Sequence, residues 1–246
     1  AIRTPRRGPA RAERRGKNRA ALSAQQTIPY VRMLKDGVCQ LTGGLFTKTL
    51  AYEDINYSVA STEDQSAIFN GWSAFLNYFD SSIPFQLSFV NRRAQSTGRY
   101  QVNIPPAHDD FDSIRGEFTG MLKRQISRSN NGIDRAKYIT FGVSADDARP
   151  RLERVEADVQ GGFKRLGVQS ETLDGKERLA VLHGQTHPGP QRELFRFSWA
   201  DIAKTGQGTK EAIAPFGGFD FSRSRTFRVG RYWCAASYLQ IMASEL

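Results

Sequence analysis

The chain predicts an α+β fold, a mostly antiparallel sheet with helices packed on one face. Three observations carry that reading. Phe85, Leu87 and Phe89 alternate with Gln86 and Ser88, the two-residue period of a half-buried strand. Apolar residues recur at helical spacing over 68–79 and again over 152–166. Gly43-Gly44 joins two apolar runs as a hairpin turn. With 246 residues there is room for one large domain or two small ones, and folding removes roughly 70–75% of the unfolded surface from water. The 39% apolar fraction supplies a core without a metal or disulfide.

Taken in order, residues 1–22 are a basic tail, expected to be disordered alone. Arg3, Arg6, Arg7, Arg11, Arg14, Arg15, Lys17 and Arg19 face Glu13 alone, so the tail holds +7 of the net charge of +10. The body, 23–246, is nearly balanced. Residues 38–41 and 45–52 read as hairpin strands. A helix follows, capped by Ser61 with Asp64 at the capping-box position, and places Ile68, Phe69, Trp72, Phe75, Leu76 and Phe79 on one face. Asp80-Ser81-Ser82 ends it and Pro84 prevents continuation. The strand at 85–89 comes next.

A polar loop then leads through Pro105-Pro106 to a helix over 110–128, which Asn130-Asn131-Gly132 breaks. Residues 138–143 read as a strand and 146–166 as a long helix with Leu152, Val155, Val159, Phe163 and Leu166 inward. Pro150 is tolerated in its first turn, whereas Gly161-Gly162 costs up to ~1 kcal/mol per glycine relative to alanine. Beyond lie a short strand near Val168, a helix at 177–182, a Gly/Pro-rich loop, and short helices at 199–203 and 210–213. Strands at 219–221, 226–229 and 232–241 close the chain. The order suggests a ferredoxin-like βαββαβ core.

Catalytic motifs are missing. A phosphate-binding loop needs G-x-x-x-x-G-K-[ST], so that glycine amides cradle phosphates while the lysine neutralises them. Gly16-Lys17 and Gly175-Lys176 are followed by Asn18 and Glu177, and Arg11 and Ser170 stand where the first glycine belongs. His183 and His187 have a two-ligand helical spacing, but Gly184, Pro188 and Gly189 argue for a loop. His108 beside Asp109-Asp110, like the pairs Glu53-Asp54 and Asp146-Asp147, fits element ends. No G-x-S-x-G is present, and Cys39 and Cys234, the only cysteines, are expected to be buried thiols of a reducing cytoplasm. Trp72, Phe75 and Phe79 could stack bases, but their helical spacing makes them core. For direct binding the candidates are Arg6, Arg7, Arg11, Arg14, Arg15, Lys17 and Arg19, suited to nucleic acid or an anionic membrane surface.

A series of short motifs carries a family resemblance. T-I-P-Y at 27–30, D-G at 36–37, G-L-F-T-K at 44–48 and Y-E-D-I-N-Y at 52–57 follow one another. F-L-N-Y-F-D at 75–80, Q-L-S-F-V-N-R at 86–92, M-L-K-R-Q at 121–125 and K-Y-I-T-F at 137–141 continue the order. E-R-L at 177–179, F-R-F-S-W at 195–199 and T-K-E-A-I-A-P at 209–215 complete it. Together they resemble the N-terminal part of VirB/TraC-type conjugal transfer ATPases of type IV secretion systems, in the branch of Gram-positive mobile elements. The resemblance implies a non-catalytic assembly and docking domain, cytoplasmic and peripheral at the inner face of the cell membrane. It implies inner-membrane components of the secretion channel as partners and a homo-oligomer in the full-length protein. ATP and Mg would belong to a motor domain only, with no cofactor in this fragment. The alternative is a nucleic-acid-binding module working through the arginine-rich tail, with DNA or anionic lipid as its partner.

Overall fold

A computed structural model describes residues 22–55, 57, 60–93, 104–129, 133–144, 148–189, 195–206 and 208–239. The first described element is a single helical turn, α1 (Ala24–Thr27), closed by a Ser23/Gln26 capping box. Then come β1 (Tyr30–Met33), β2 (Cys39–Leu41), β3 (Phe46–Tyr52), α2 (Thr62–Leu76), β4 (Phe85–Arg93), α3 (Asp112–Ser129), β5 (Ile133–Val143), α4 (Ala148–Arg165) and β6 (Ser170–Thr172). After these follow α5 (Gly175–Thr186), α6 (Trp199–Thr205), β7 (Phe219–Asp220), β8 (Phe227–Val229) and β9 (Tyr232–Cys234).

β1 to β6 form one antiparallel sheet and β7 to β9 a separate three-stranded meander, so the α+β class holds. Within the large sheet β6, β3, β5 and β4 lie side by side, while β2 and then β1 extend it along the first residues of β3. The path β3–α2–β4–β5–α4–β6 has the element order of a split βαβ, compatible with a ferredoxin-like core, with α3 set between β4 and β5.

Alternation along the strands divides the interior in two. On one face Phe46, Leu50 and Tyr52 of β3 and Ile139, Phe141 and Val143 of β5 meet Leu152, Val155, Val159 and Phe163 of α4. Phe163 stacks on Tyr52, with centroids 4.9 Å apart, and touches Phe75 and Trp72 of α2. Phe79 continues the cluster and stacks on Phe85 at 4.2 Å. The other face carries Cys39 and its cross-strand neighbour Thr47, and packs with Tyr30, Met33, Leu179 of α5 and Ile213. Helices α2 and α4 thus share one face as expected, but α5 lies on the opposite one. The one-face arrangement fails there because β3 buries alternate residues in both directions, Thr47 and Thr49 as well as Leu50.

Several boundaries move. β5 starts at Ile133, five residues before the expected strand, because it pairs along the whole of β4 to Arg93. α5 starts at Gly175 and runs through His183, beyond the expected 177–182, because Asp174 and Glu177 close a reciprocal capping box at 2.8 Å each way. The strand expected near Val168 is β6, two residues later. Residues 210–213 make turns and not a helix, with Ala214 N–H to Lys210 O the one i→i+4 bond before Pro215. The last strand stops at Cys234, where the three paired residues of β8 end. Phe69 points to solvent at 66% exposure while Trp72 and Phe75 enter the core.

Two glycines are structural. Gly37 has φ +82°, and a Cβ there would sit 2.1 Å from the Leu173 carbonyl oxygen. At Gly162 a Cβ would lie 2.5 Å from the Phe75 ring, so this glycine lets α2 approach α4. The cost expected of Gly161-Gly162 is therefore offset by packing at the second glycine only.

Candidate functional site

The cations expected to bind, Arg6, Arg7, Arg11, Arg14, Arg15, Lys17 and Arg19, lie outside the described residues, as do Asp146 and Asp147. Asp54 pairs with Lys137. Asp109 accepts from Arg115 Nη2 at 2.8 Å and from the Phe111 amide at 3.0 Å. Asp112 accepts from the amides of Ala107 and His108 at 2.9 Å each, and these bonds, the Ala107 bond foremost, hold its carboxyl below the usual range. Asp109 and Asp112 thus close the start of α3.

His183 is helical, and only His187 lies beyond the helix end, where a loop was expected for both. His183 is buried in the last turn of α5 and His187 caps it, with ring centroids 3.8 Å apart and planes 16° apart. Their faces are in contact, and His187 Nδ1 lies 3.0 Å from the His183 carbonyl oxygen and 3.1 Å from Thr186 Oγ1. Stacked rings do not converge two nitrogens on one ion. No group of three or more metal-ligating side chains occurs among the described residues.

Two features remain that sequence reasoning did not single out as sites, although it names Phe111, Ile114, Phe118, Met121, Leu122 and Ile126 as the apolar residues of the 110–128 helix. The first is the outer face of α3. Phe111, just before the helix, and Ile114, Phe118 and Met121 within it follow helical spacing and are 61, 59, 46 and 47% exposed. Thr119 is the only buried side chain described on α3, and its hydroxyl accepts from the Ile104 amide at 3.4 Å. The signal was present as an apolar period. Nothing in a sequence says whether an apolar face turns inward.

The second feature lies between the sheet and α5. Arg178 is half-buried beside Cys39. It donates through Nη1 to the carbonyl oxygens of Gly37 (2.5 Å) and Thr47 (2.7 Å), and through Nη2 to Thr47 Oγ1 (3.1 Å). All three acceptors are neutral, and among the described residues no carboxylate pairs with it. Burial accordingly pushes its guanidinium below the usual arginine range. Burial also pushes the Cys39 thiol up, outweighing Arg178 and the Thr47 hydroxyl. Arg178 and Cys39 border a cavity of about 340 Å³, whose wall also includes Ile28, Tyr30, Leu41 and Leu182. Tyr30 donates its hydroxyl to Thr209 Oγ1 at 3.0 Å, and Lys210 sits over the Tyr30 ring, 5.4 Å from its centroid. A second half-buried cation, Arg92 at the end of β4, abuts α5 at Gly184, and its buried Nε and Nη2 have no hydrogen-bond partner among the described residues.

Compared with models of known protein families and with curated proteins, the chain matches none. No helix among the described residues is long and apolar enough to cross a membrane.

Proposed function

We propose that this chain is a non-catalytic assembly and docking domain, and that it serves a conjugative type IV secretion ATPase at the cytoplasmic face of the membrane. The observation that carries the docking role is the exposed stripe Phe111, Ile114, Phe118 and Met121 on α3. Apolar residues at helical spacing that face water are suited to a groove on another protein, where burial is worth roughly 25 cal/mol per Å². The secretion ATPase reading rests on the ordered motifs between T-I-P-Y at 27–30 and T-K-E-A-I-A-P at 209–215. On that reading the chain self-associates or binds inner-membrane channel components, and nucleotide chemistry belongs to a motor domain.

The test is a double substitution, Ile114→Glu with Phe118→Glu. Both side chains are exposed, so the thermal midpoint should stay close to that of the unaltered chain, since surface changes usually lie within about 0.5 kcal/mol. Self-association and co-purification with type IV inner-membrane components should be lost. Retention of both refutes the docking face, and robust ATP turnover by the purified chain refutes the non-catalytic reading.

A second reading, nucleic-acid binding through the tail, is favoured by eight cations facing one acid between residues 1 and 22. Deleting 1–22 should then abolish salt-sensitive DNA binding, and unchanged binding rejects the tail as its source.

A further inference from the structure

We infer that the cavity between the second face of the sheet and α5 binds a small apolar anion, a carboxylate with an aliphatic body, whose charge is met by Arg178. The argument starts from the arginine. Its three bonds satisfy both Nη1 protons and one on Nη2, but neutral acceptors leave its positive charge uncompensated in a half-buried place. A buried cation without a counter-charge is strongly unfavourable, and chains normally match it with an acid. The same fold does so 130 residues earlier in sequence: Lys48, buried toward the other face, meets Glu156 at 2.5 Å. Among the described residues Arg178 makes no ion pair of this kind.

The cavity completes the argument. Its described walls contain no aspartate or glutamate, and its polar groups are few: Arg178, the Tyr30 and Thr hydroxyls and the Cys39 thiol. The rest is aliphatic or aromatic, from Ile28, Leu41, Leu182, Ile213 and Phe219. An apolar wall with few convergent polar groups is the pattern of small-molecule sites, and 340 Å³ falls at the lower end of their usual range of about 300–1,000 Å³. The size limits the ligand to a short or medium chain. A second cation, Lys210, stands at the Tyr30 side and donates to the Ile28 carbonyl at 3.1 Å, adding positive potential beside two wall residues. Cys39 has a raised thiol and supplies no anion of its own at neutral pH.

The experiment uses the purified chain with decanoate as probe and decanol as its uncharged counterpart, followed by calorimetric titration and thermal unfolding. Decanoate should bind and raise the unfolding temperature, as any ligand of the native state does. In a Cys234→Ser background it should also slow reaction of Cys39 with a thiol reagent. Decanol should bind at least tenfold more weakly. Arg178→Met should lower decanoate affinity at least tenfold. Because Arg178 also ties Gly37 to Thr47 and its loss can unfold the protein, Leu41→Trp is the second variant. It fills the cavity, leaves the arginine in place, and should block decanoate to a similar degree. Absence of any decanoate binding, equal binding of decanol, or undiminished binding by Leu41→Trp would each overturn the assignment.

Discussion

The two faces of the sheet treat an inward-facing cation in opposite ways. Thr47 and Lys48 are neighbours on β3, and strand geometry sends them in opposite directions. Toward α4, Lys48 meets Glu156, which also accepts from Thr172 Oγ1, inside a cluster closed by Leu152, Val159 and Phe163. Toward α5, Arg178 meets only carbonyl and hydroxyl oxygens and borders open volume. The first face is closed by an 18-residue helix whose aromatics interlock with those of α2. The second is covered by a 12-residue helix, with turns from 209–213 and the small meander beside it. A tightly packed face has to neutralise its charges within the chain. A loosely covered face can leave one for a ligand.

Breaking the packed face should have the largest effect. Phe163 is fully buried against Tyr52, Trp72 and Phe75, so Phe163→Ala should cost about 3–5 kcal/mol in urea unfolding. Next comes its ion pair. Glu156→Gln leaves Lys48 charged without a counter-ion and should cost about 3 kcal/mol, while Lys48→Met combined with Glu156→Met should recover most of that loss. Equal losses for single and double variants would show that the pair is not what closes this face.

The looser face is probed by pH. Burial pushes the Tyr30 hydroxyl up to about 12 from its ordinary 10.0, outweighing the bond to Thr209. The unfolded chain releases this proton near pH 10 and the folded chain keeps it. The contribution is therefore whole below pH 10 and is lost as pH rises toward about 12, with a total on the order of 2 kcal/mol. Tyr30→Phe should flatten that part of a stability–pH curve, and an unchanged slope would place the tyrosine in a wetter site. The smallest effects compare adjacent glycines. Gly162→Ala collides with Phe75 and should destabilise by about 1–3 kcal/mol. Gly161→Ala meets only the flexible end of Arg165 at 3.7 Å and should stabilise by up to about 1 kcal/mol. Effects of the same sign at both positions would contradict the close approach of α2 and α4.

Much of the fold was legible because local patterns and tertiary packing agree. Ser61 caps α2, Leu152, Val155, Val159 and Phe163 face inward on α4, and the Gly43-Gly44 hairpin joins β2 to β3, all as the spacing indicates. The capping box Asp174–Glu177 was present in the sequence as D-G-K-E, and reading it would have begun α5 at Gly175. The site was far less legible. Arg178 stands in a run of mixed charges where an exposed arginine is the ordinary reading, and Cys39 lies 139 positions earlier.

By itself the sequence determined the α+β class, the amphipathic helices and the concentration of charge in residues 1–22. These are properties of composition, period and spacing, which act over a few residues along the chain. Only the tertiary structure decided that α5 takes the second face, that α3 leaves Phe118 and Met121 toward solvent, and that Arg178 comes beside Cys39 without an ion-pair partner among the described residues. Each of these depends on which distant segments meet. That choice is made by the sum of contacts over the whole molecule, and no local pattern encodes it.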